Sequence, residues 1–213
     1  MIDRMTVGVI MLGAVLVLSA PAADARQGPA PIDLLDALAT GQIDATFYGN
    51  GDESVRARIR RSAFGPEEVV VSPGTQFWAQ QEGLQGMTTL GWVPIDLRRR
   101  HIAYVTIPTA CTNYDRPAPT ARNIMHPICC PEPRMAALSE HIGRAHPARP
   151  VAQIAVWAIA NNPAWNDIAG AVEARATAET PEERSATAEA WREQAAELMR
   201  AAGVNPANYR MFR

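Results

Sequence analysis

Ser54-Val55-Arg56-Ala57-Arg58-Ile59-Arg60 alternates strictly between polar and apolar side chains. A period of two places the apolar residues on one face, which is typical of a half-buried β-strand. Other short β-rich runs lie before and after it, separated by turns rich in Pro and Gly, at residues 45–48, 68–71, 75–78, 87–90, 93–97 and 102–107. Short strands at regular spacing predict a small antiparallel β-sandwich over residues 42–111.

The segments on either side of these strands differ in character. Residues 26–41 are predicted to be a linker followed by a short helix, and the Pro-rich residues 112–134 a crossover loop without secondary structure. Residues 135–213 have helical periodicity, and Thr180-Pro181-Glu182-Glu183 forms a capping box before the last helix. The predicted fold class is therefore α+β, a small antiparallel β-sandwich followed by a helical bundle.

The first 25 residues have the pattern of a cleaved secretory signal peptide. A short segment with Arg4 precedes an uncharged apolar stretch at residues 7–19, and the small residues Ala23 and Ala25 stand where signal peptidase cleaves. The apolar stretch is shorter than the roughly 20 residues that a membrane-spanning helix needs. We therefore predict a periplasmic or secreted protein, with no stable membrane span once the signal is removed.

The charge balance and the motif content exclude several functions. The chain has 20 basic and 22 acidic residues and a net charge of −2, which does not favour nucleic acid as a partner. Every basic residue is Arg, so Lys-based chemistry such as a Schiff base is excluded. No nucleophile elbow, zinc-protease motif or phosphate loop occurs, and we predict a non-enzymatic binding or interaction module with an extracytoplasmic protein or surface partner.

One pair of residues suggests covalent chemistry. Cys111 follows a predicted strand, and Gln153 opens a predicted buried helix in Ala152-Gln153-Ile154-Ala155-Val156-Trp157. This hexapeptide resembles the Thr-Gln-x-Ala-aliphatic-Trp motif of bacterial surface thioester domains, with Ala152 in place of Thr. The resemblance implies that Cys111 and Gln153 condense to an internal thioester with loss of ammonia. The order of a β-rich part and a helical part is also similar to that family.

Cys111 has two other predicted roles. Three Cys residues in an oxidising compartment indicate one disulfide and one spare thiol, so Cys111 pairs with Cys129 or Cys130 in this interpretation. A disulfide and a thioester exclude each other at Cys111. The third interpretation is that Cys111 is a small buried apolar residue and Gln153 caps its helix.

The Pro-rich loop contains a possible metal site. Met125, His126, Cys129 and Cys130 occur within six residues, and sulfur and imidazole ligands suit Cu(I) or Zn²⁺. The alternative functional prediction is therefore a periplasmic copper- or zinc-binding protein that uses this loop. In the leading prediction the protein needs no cofactor.

Overall fold

The computed structural model describes residues 31–128 and 132–213. The predicted signal peptide and the two cysteines Cys129 and Cys130 lie outside the described residues. Within them the strands are β1 (Ile32–Asp33), β2 (Ile43–Gly49), β3 (Ser54–Arg61), β4 (Glu68–Val71), β5 (Gln76–Ala79), β6 (Met87–Thr89), β7 (Val93–Asp96), β8 (Ile102–Cys111) and β9 (Ile124–Ile128). The α-helices are α1 (Leu34–Ala39), α2 (Pro133–Ala145), α3 (Arg149–Asn161), α4 (Trp165–Glu173) and α5 (Pro181–Ala201), and two short 3₁₀ helices follow at Pro206–Asn208 and Arg210–Phe212.

Six of the strands close into an antiparallel barrel in the order β2-β3-β8-β6-β5-β9. The predicted β-sandwich is therefore wrong, although the mixture of α and β structure is as predicted. Closure depends on β9, which pairs with β5 on one side and with β2 on the other. This strand lies inside the segment predicted as a crossover loop, and without it the remaining strands would form an open sheet with two free edges.

The three remaining strands form a separate small sheet in the order β1-β4-β7. Strand β1 is parallel to β4, and β7 is antiparallel to β4. Val69, Val71 and Ile95 from this sheet are buried in the same apolar cluster as the barrel interior. The small sheet and the barrel therefore share one core.

Strand β3, which contains the alternating stretch of residues 54–60, has the two faces that the alternation predicts. Val55, Ala57 and Ile59 are buried inside the barrel, while Arg56 and Arg60 are exposed outside it. Each fully buried Val or Ile side chain contributes about 1.5–3 kcal/mol relative to an exposed one.

The helices pack around α3, which is buried along residues 151–158. Their core also contains Ala110, near the end of β8, so the helices rest on that end of the barrel strand. A second contact joins the backbones of Gly91 and Gly143, where a Cβ on Gly143 would lie 2.4 Å from the Cα of Gly91. Among the described residues, no helix is both long and apolar enough to cross a bilayer.

Candidate functional site

Cys111 and Gln153 meet where the barrel contacts the helices. Cys111 is the last residue of β8, opposite Met87 of β6. Gln153 is the fifth residue of α3, the helix that packs on this end of β8. Each residue has only 1% of its surface exposed, so the pair is separated from bulk water.

The carboxamide of Gln153 pairs with the backbone of Cys111 through two hydrogen bonds. The Cys111 backbone N–H donates to Oε1 of Gln153 at 3.1 Å, and Nε2 of Gln153 donates to the Cys111 carbonyl oxygen at 2.7 Å. The side chain thus satisfies both backbone polar groups of the last strand residue, as a neighbouring strand would. Gln153 itself is a buried polar side chain whose oxygen and nitrogen both have partners.

The thiol of Cys111 lies in an apolar setting with one polar neighbour. Its Sγ is 3.6 Å from the backbone oxygen of Asp52 and 3.8 Å from Sδ of Met87. Burial raises the pKa of Cys111 to about 12, and the Asp52 carboxylate adds to the rise while Arg149 and Arg175 oppose it. The thiol is therefore protonated at neutral pH and available to donate to the Asp52 carbonyl.

Arg149 fixes the turn between β2 and β3 over this thiol. One of its terminal nitrogens donates to the same backbone oxygen of Asp52, and its Nε lies 4.0 Å from a carboxylate oxygen of Glu53. Burial lowers the pKa of Arg149, and the carboxylates of Glu53 and Asp52 counteract that effect. Because Arg149 begins α3, it ties the start of this helix to the turn that covers Cys111.

Arg175 links Asp52 to α3. Its guanidinium is 2.9 Å from Oδ2 of Asp52 and stacks over the ring of Trp157, 5.7 Å from the ring centroid. Trp157 follows Gln153 by four residues, so both side chains lie on one face of the helix. The contacts form a continuous series from Gln153 through Cys111, Asp52 and Arg175 to Trp157.

The outer part of this series reaches solvent. The Asp52 and Arg175 side chains are 38% and 31% exposed, respectively. Beside the first turn of α3 is a cleft of about 480 Å³, which is lined by Arg149 and Ala152 on one side and by Trp92 and His146 on others. Ala152, the residue before Gln153, thus lines the cleft, while Gln153 itself is buried.

The arrangement provides two elements of acyl chemistry at one place. The Gln153 carboxamide contacts the backbone of Cys111, whose protonated thiol faces Asp52 and Met87, and the Cys111 N–H points at the carbonyl oxygen of Gln153. A donor at that oxygen polarises the carbonyl and stabilises negative charge that develops on it. Exclusion of water protects a reactive acyl group from hydrolysis.

The two other predicted roles of these cysteines depend on residues outside the described part. Cys111 has a free, buried thiol among the described residues, and a disulfide to Cys129 or Cys130 stays a prediction.

For the predicted metal site, Met125 is buried in the barrel core, whereas the adjacent His126 is exposed. Successive strand residues point to opposite faces, so these two side chains do not converge on one ion. Among the described residues, no three His, Cys, Asp or Glu side chains are grouped to hold a metal.

Sequence reasoning missed Asp52, Arg149 and Arg175. The turn Gly49-Asn50-Gly51-Asp52 is recognisable, and its position over Cys111 follows from the pairing of β3 with β8. Arg149 precedes Pro150 at the start of a helix, which is a detectable position. Arg175 comes just after α4, and its approach to Asp52 depends on helix packing that no local pattern records.

Comparison of the chain with protein-family models, with curated proteins and with solved structures finds no match.

Proposed function

We propose that the protein is an exported binding module that forms an internal thioester between Cys111 and Gln153 and uses it to capture an amine on an extracytoplasmic partner. The observation that carries this proposal is the pair of hydrogen bonds between the Gln153 carboxamide and the Cys111 backbone. They hold an electrophile against the residue that bears the nucleophile. The signal-peptide pattern of residues 1–25 supports the location outside the cytoplasm.

The condensation balances without a further reagent. Sγ of Cys111 attacks Cδ of Gln153, the S–C bond forms, and the C–Nε2 bond breaks. The thiol proton is transferred to Nε2, which leaves as ammonia. Negative charge on Oε1 in the tetrahedral intermediate is stabilised by the Cys111 N–H, which already donates to this oxygen at 3.1 Å.

The capture step reverses the bonding at the same carbon. A neutral primary amine attacks Cδ, the S–C bond breaks, and an amide forms between the partner and Gln153 while the thiol is restored. Proximity supplies much of the rate in such reactions, because a positioned pair reacts at an effective concentration far above that of free groups.

The environment of the pair supports the persistence of a thioester. With 1% exposure at both residues, water has little access to the acyl carbon. The cleft lined by Arg149 and Ala152 brings solvent and small amines next to the first turn of α3.

The intact mass of the purified, non-reduced protein tests the proposal. We expect a mass lower than the sequence requires by one ammonia, and addition of methylamine should convert this species to one that carries methylamine. Gln153→Ala and Cys111→Ser should both have the full mass and no reaction, while Cys129→Ser keeps the wild-type behaviour.

Two outcomes would count against it. A deficit of two hydrogens that a reductant restores means a disulfide. The full mass with a titratable Cys111 thiol means that the hydrogen-bonded pair only docks α3 on β8. Either result removes the thioester and leaves a non-covalent binding module.

A further inference from the structure

The outer face of three barrel strands carries a second cluster of functional groups. Pairing of β2, β3 and β8 aligns Tyr48 with Arg56, and Arg58 with Tyr104. Strand residues two apart point the same way, so both arginines lie on the outer face, each beside one tyrosine. Tyr48 is 36% and Tyr104 is 77% exposed, so both rings are accessible to a ligand.

Arg56 and Arg58 differ from the next arginine on the same strand. Arg60 is paired with Asp44 at 3.0 Å. Within residues 31–128 and 132–213, neither Arg56 nor Arg58 has a carboxylate at salt-bridge distance. Two guanidinium groups are thus available to an external anion, in a fork geometry that matches a carboxylate.

These side chains also enclose a shallow groove. It has a volume of about 500 Å³, and Tyr48, Arg56, Arg58 and Tyr104 line it together with Thr106. Aromatic surface and charged donors are therefore offered side by side along the groove. The arrangement suits a ligand with flat apolar faces and carboxylates at intervals.

We infer that this groove binds an acidic polysaccharide. The carboxylate of a uronic acid residue accepts hydrogen bonds from Arg56 or Arg58, and the C–H face of a sugar ring packs on Tyr104 or Tyr48. Strand residues two apart are separated by about 6.6 Å, so the two arginines reach carboxylates on different sugars of one chain. A polyphosphate uses only the two arginines, whereas a uronic acid chain also packs its sugar faces on Tyr48 and Tyr104.

The charged and aromatic residues of the groove lie away from the proposed thioester, although Thr106 lines both this groove and the cleft beside α3. Tyr104 precedes Cys111 by seven residues along β8, which corresponds to about 23 Å of extended strand. None of the groove residues contacts Gln153 or Cys111 through the hydrogen bonds or ion pairs described above. Loss of thioester chemistry therefore leaves the inference about the groove unchanged.

Isothermal titration calorimetry of the purified full chain with polygalacturonate tests this inference. We expect binding that weakens as salt is raised and at least ten-fold weaker binding by an Arg56→Ala/Arg58→Ala variant, because charged hydrogen bonds exceed one factor of ten in affinity. Tyr104→Ala should also weaken binding several-fold. Arg60→Ala is the matched control, on the same face of the same strand but already paired with Asp44, and should bind as wild type does.

Two further ligands, methyl-esterified polygalacturonate and single-stranded DNA, are titrated as controls. Methyl-esterified polygalacturonate lacks the carboxylates and should not bind. The inference is overturned if the double variant binds polygalacturonate like wild type, if the methyl ester binds equally well, or if single-stranded DNA binds and polygalacturonate does not. Circular dichroism of each variant excludes unfolding as the cause of a loss.

Discussion

Replacement of Gln153 by Glu gives a sharp test of the buried pair. The two side chains have the same shape, and Oε1 is kept as the acceptor for the Cys111 N–H. When it is protonated, the introduced carboxyl group also donates an O–H to the Cys111 carbonyl oxygen in place of Nε2. The variant should therefore be close to wild type in stability at low pH, where the carboxyl group is neutral.

Ionisation of that carboxyl group should destabilise the fold. A carboxylate would face the Cys111 carbonyl oxygen at 1% exposure, where no donor replaces Nε2. An uncompensated buried charge costs about 3–5 kcal/mol, against a total stability of about 5–15 kcal/mol for a typical domain. Burial raises the folded-state pKa of this Glu above its unfolded value, so the stability present below about pH 4.3 is lost as the pH rises, at about 1.4 kcal/mol per pH unit.

Urea unfolding at a series of pH values from about 4 to about 8, a range that spans the unfolded-state pKa of Glu and neutral pH, measures this loss. The expected result is a free energy of unfolding that falls with pH in Gln153→Glu but not in wild type. Gln153→Met has nearly the same volume and no charge, so its cost should be independent of pH. If the Glu variant and wild type change in parallel over this range, residue 153 is not in a water-excluded site and the reasoning fails.

Two more predictions concern the thiol and the barrel. Because burial raises the pKa of Cys111 from 9.0 to about 12, the free thiol stabilises the fold below pH 9 and this contribution is lost between pH 9 and 12, at about 1.4 kcal/mol per pH unit. In a Gln153→Met background, which cannot form the thioester, alkaline unfolding with Cys111 and with Cys111→Ala should differ by that slope, and equal slopes would mean that no buried free thiol titrates. On β9, Met125→Ala should cost about 2–5 kcal/mol because Met125 is buried in the barrel. His126→Ala, on the exposed face of the same strand, should change stability by less than about 0.5 kcal/mol. Equal costs in denaturant unfolding would contradict the inward orientation of Met125.

Most of the individual strands and helices could be predicted because local patterns determine them. The alternation around Val55 and Ile59 is reproduced in β3, and the capping box at Thr180 and Glu183 is present at the start of α5. Both are short-range features, in which period or hydrogen bonding is complete within a few residues. Their presence does not depend on how the elements are arranged in space.

Closure of the barrel could not be predicted in this way. The prolines around β9 indicate a loop, yet Met125 pairs with both Phe47 and Ala79 and Pro127 stands opposite Phe77. Likewise, Pro108 suggested that a strand ends at Ile107, whereas β8 continues to Cys111. Pro108 stands where pairing with β3 ends and pairing with β6 begins, so its missing N–H is tolerated there. Sandwich and barrel differ in long-range pairing, and a single sequence does not record it.

The candidate site was predictable only in its two central residues. The hexapeptide around Gln153 and the position of Cys111 suggested their pairing, and the Gln153 side chain contacts the Cys111 backbone. No sequence pattern identified Asp52, Arg149 or Arg175, because each reaches the site from a different element. The role of Trp157 also becomes clear only in three dimensions, where it stacks with the arginine that holds Asp52.

The contacts that would activate Gln153 are the same contacts that dock α3 on β8, which has a consequence for every experiment at this site. Condensation replaces the bond from Nε2 to the Cys111 carbonyl by a covalent link, so one buried hydrogen bond is lost while the helix stays attached. Removal of Gln153 therefore weakens docking and abolishes the chemistry together. Gln153→Glu below about pH 4.3 separates them, because docking persists while the leaving ammonia is gone. Amines are protonated at that pH, so the readout is the intact mass: a folded variant of full mass, beside a wild type that lacks one ammonia, would assign the chemistry to the carboxamide itself, and not to the integrity of the fold.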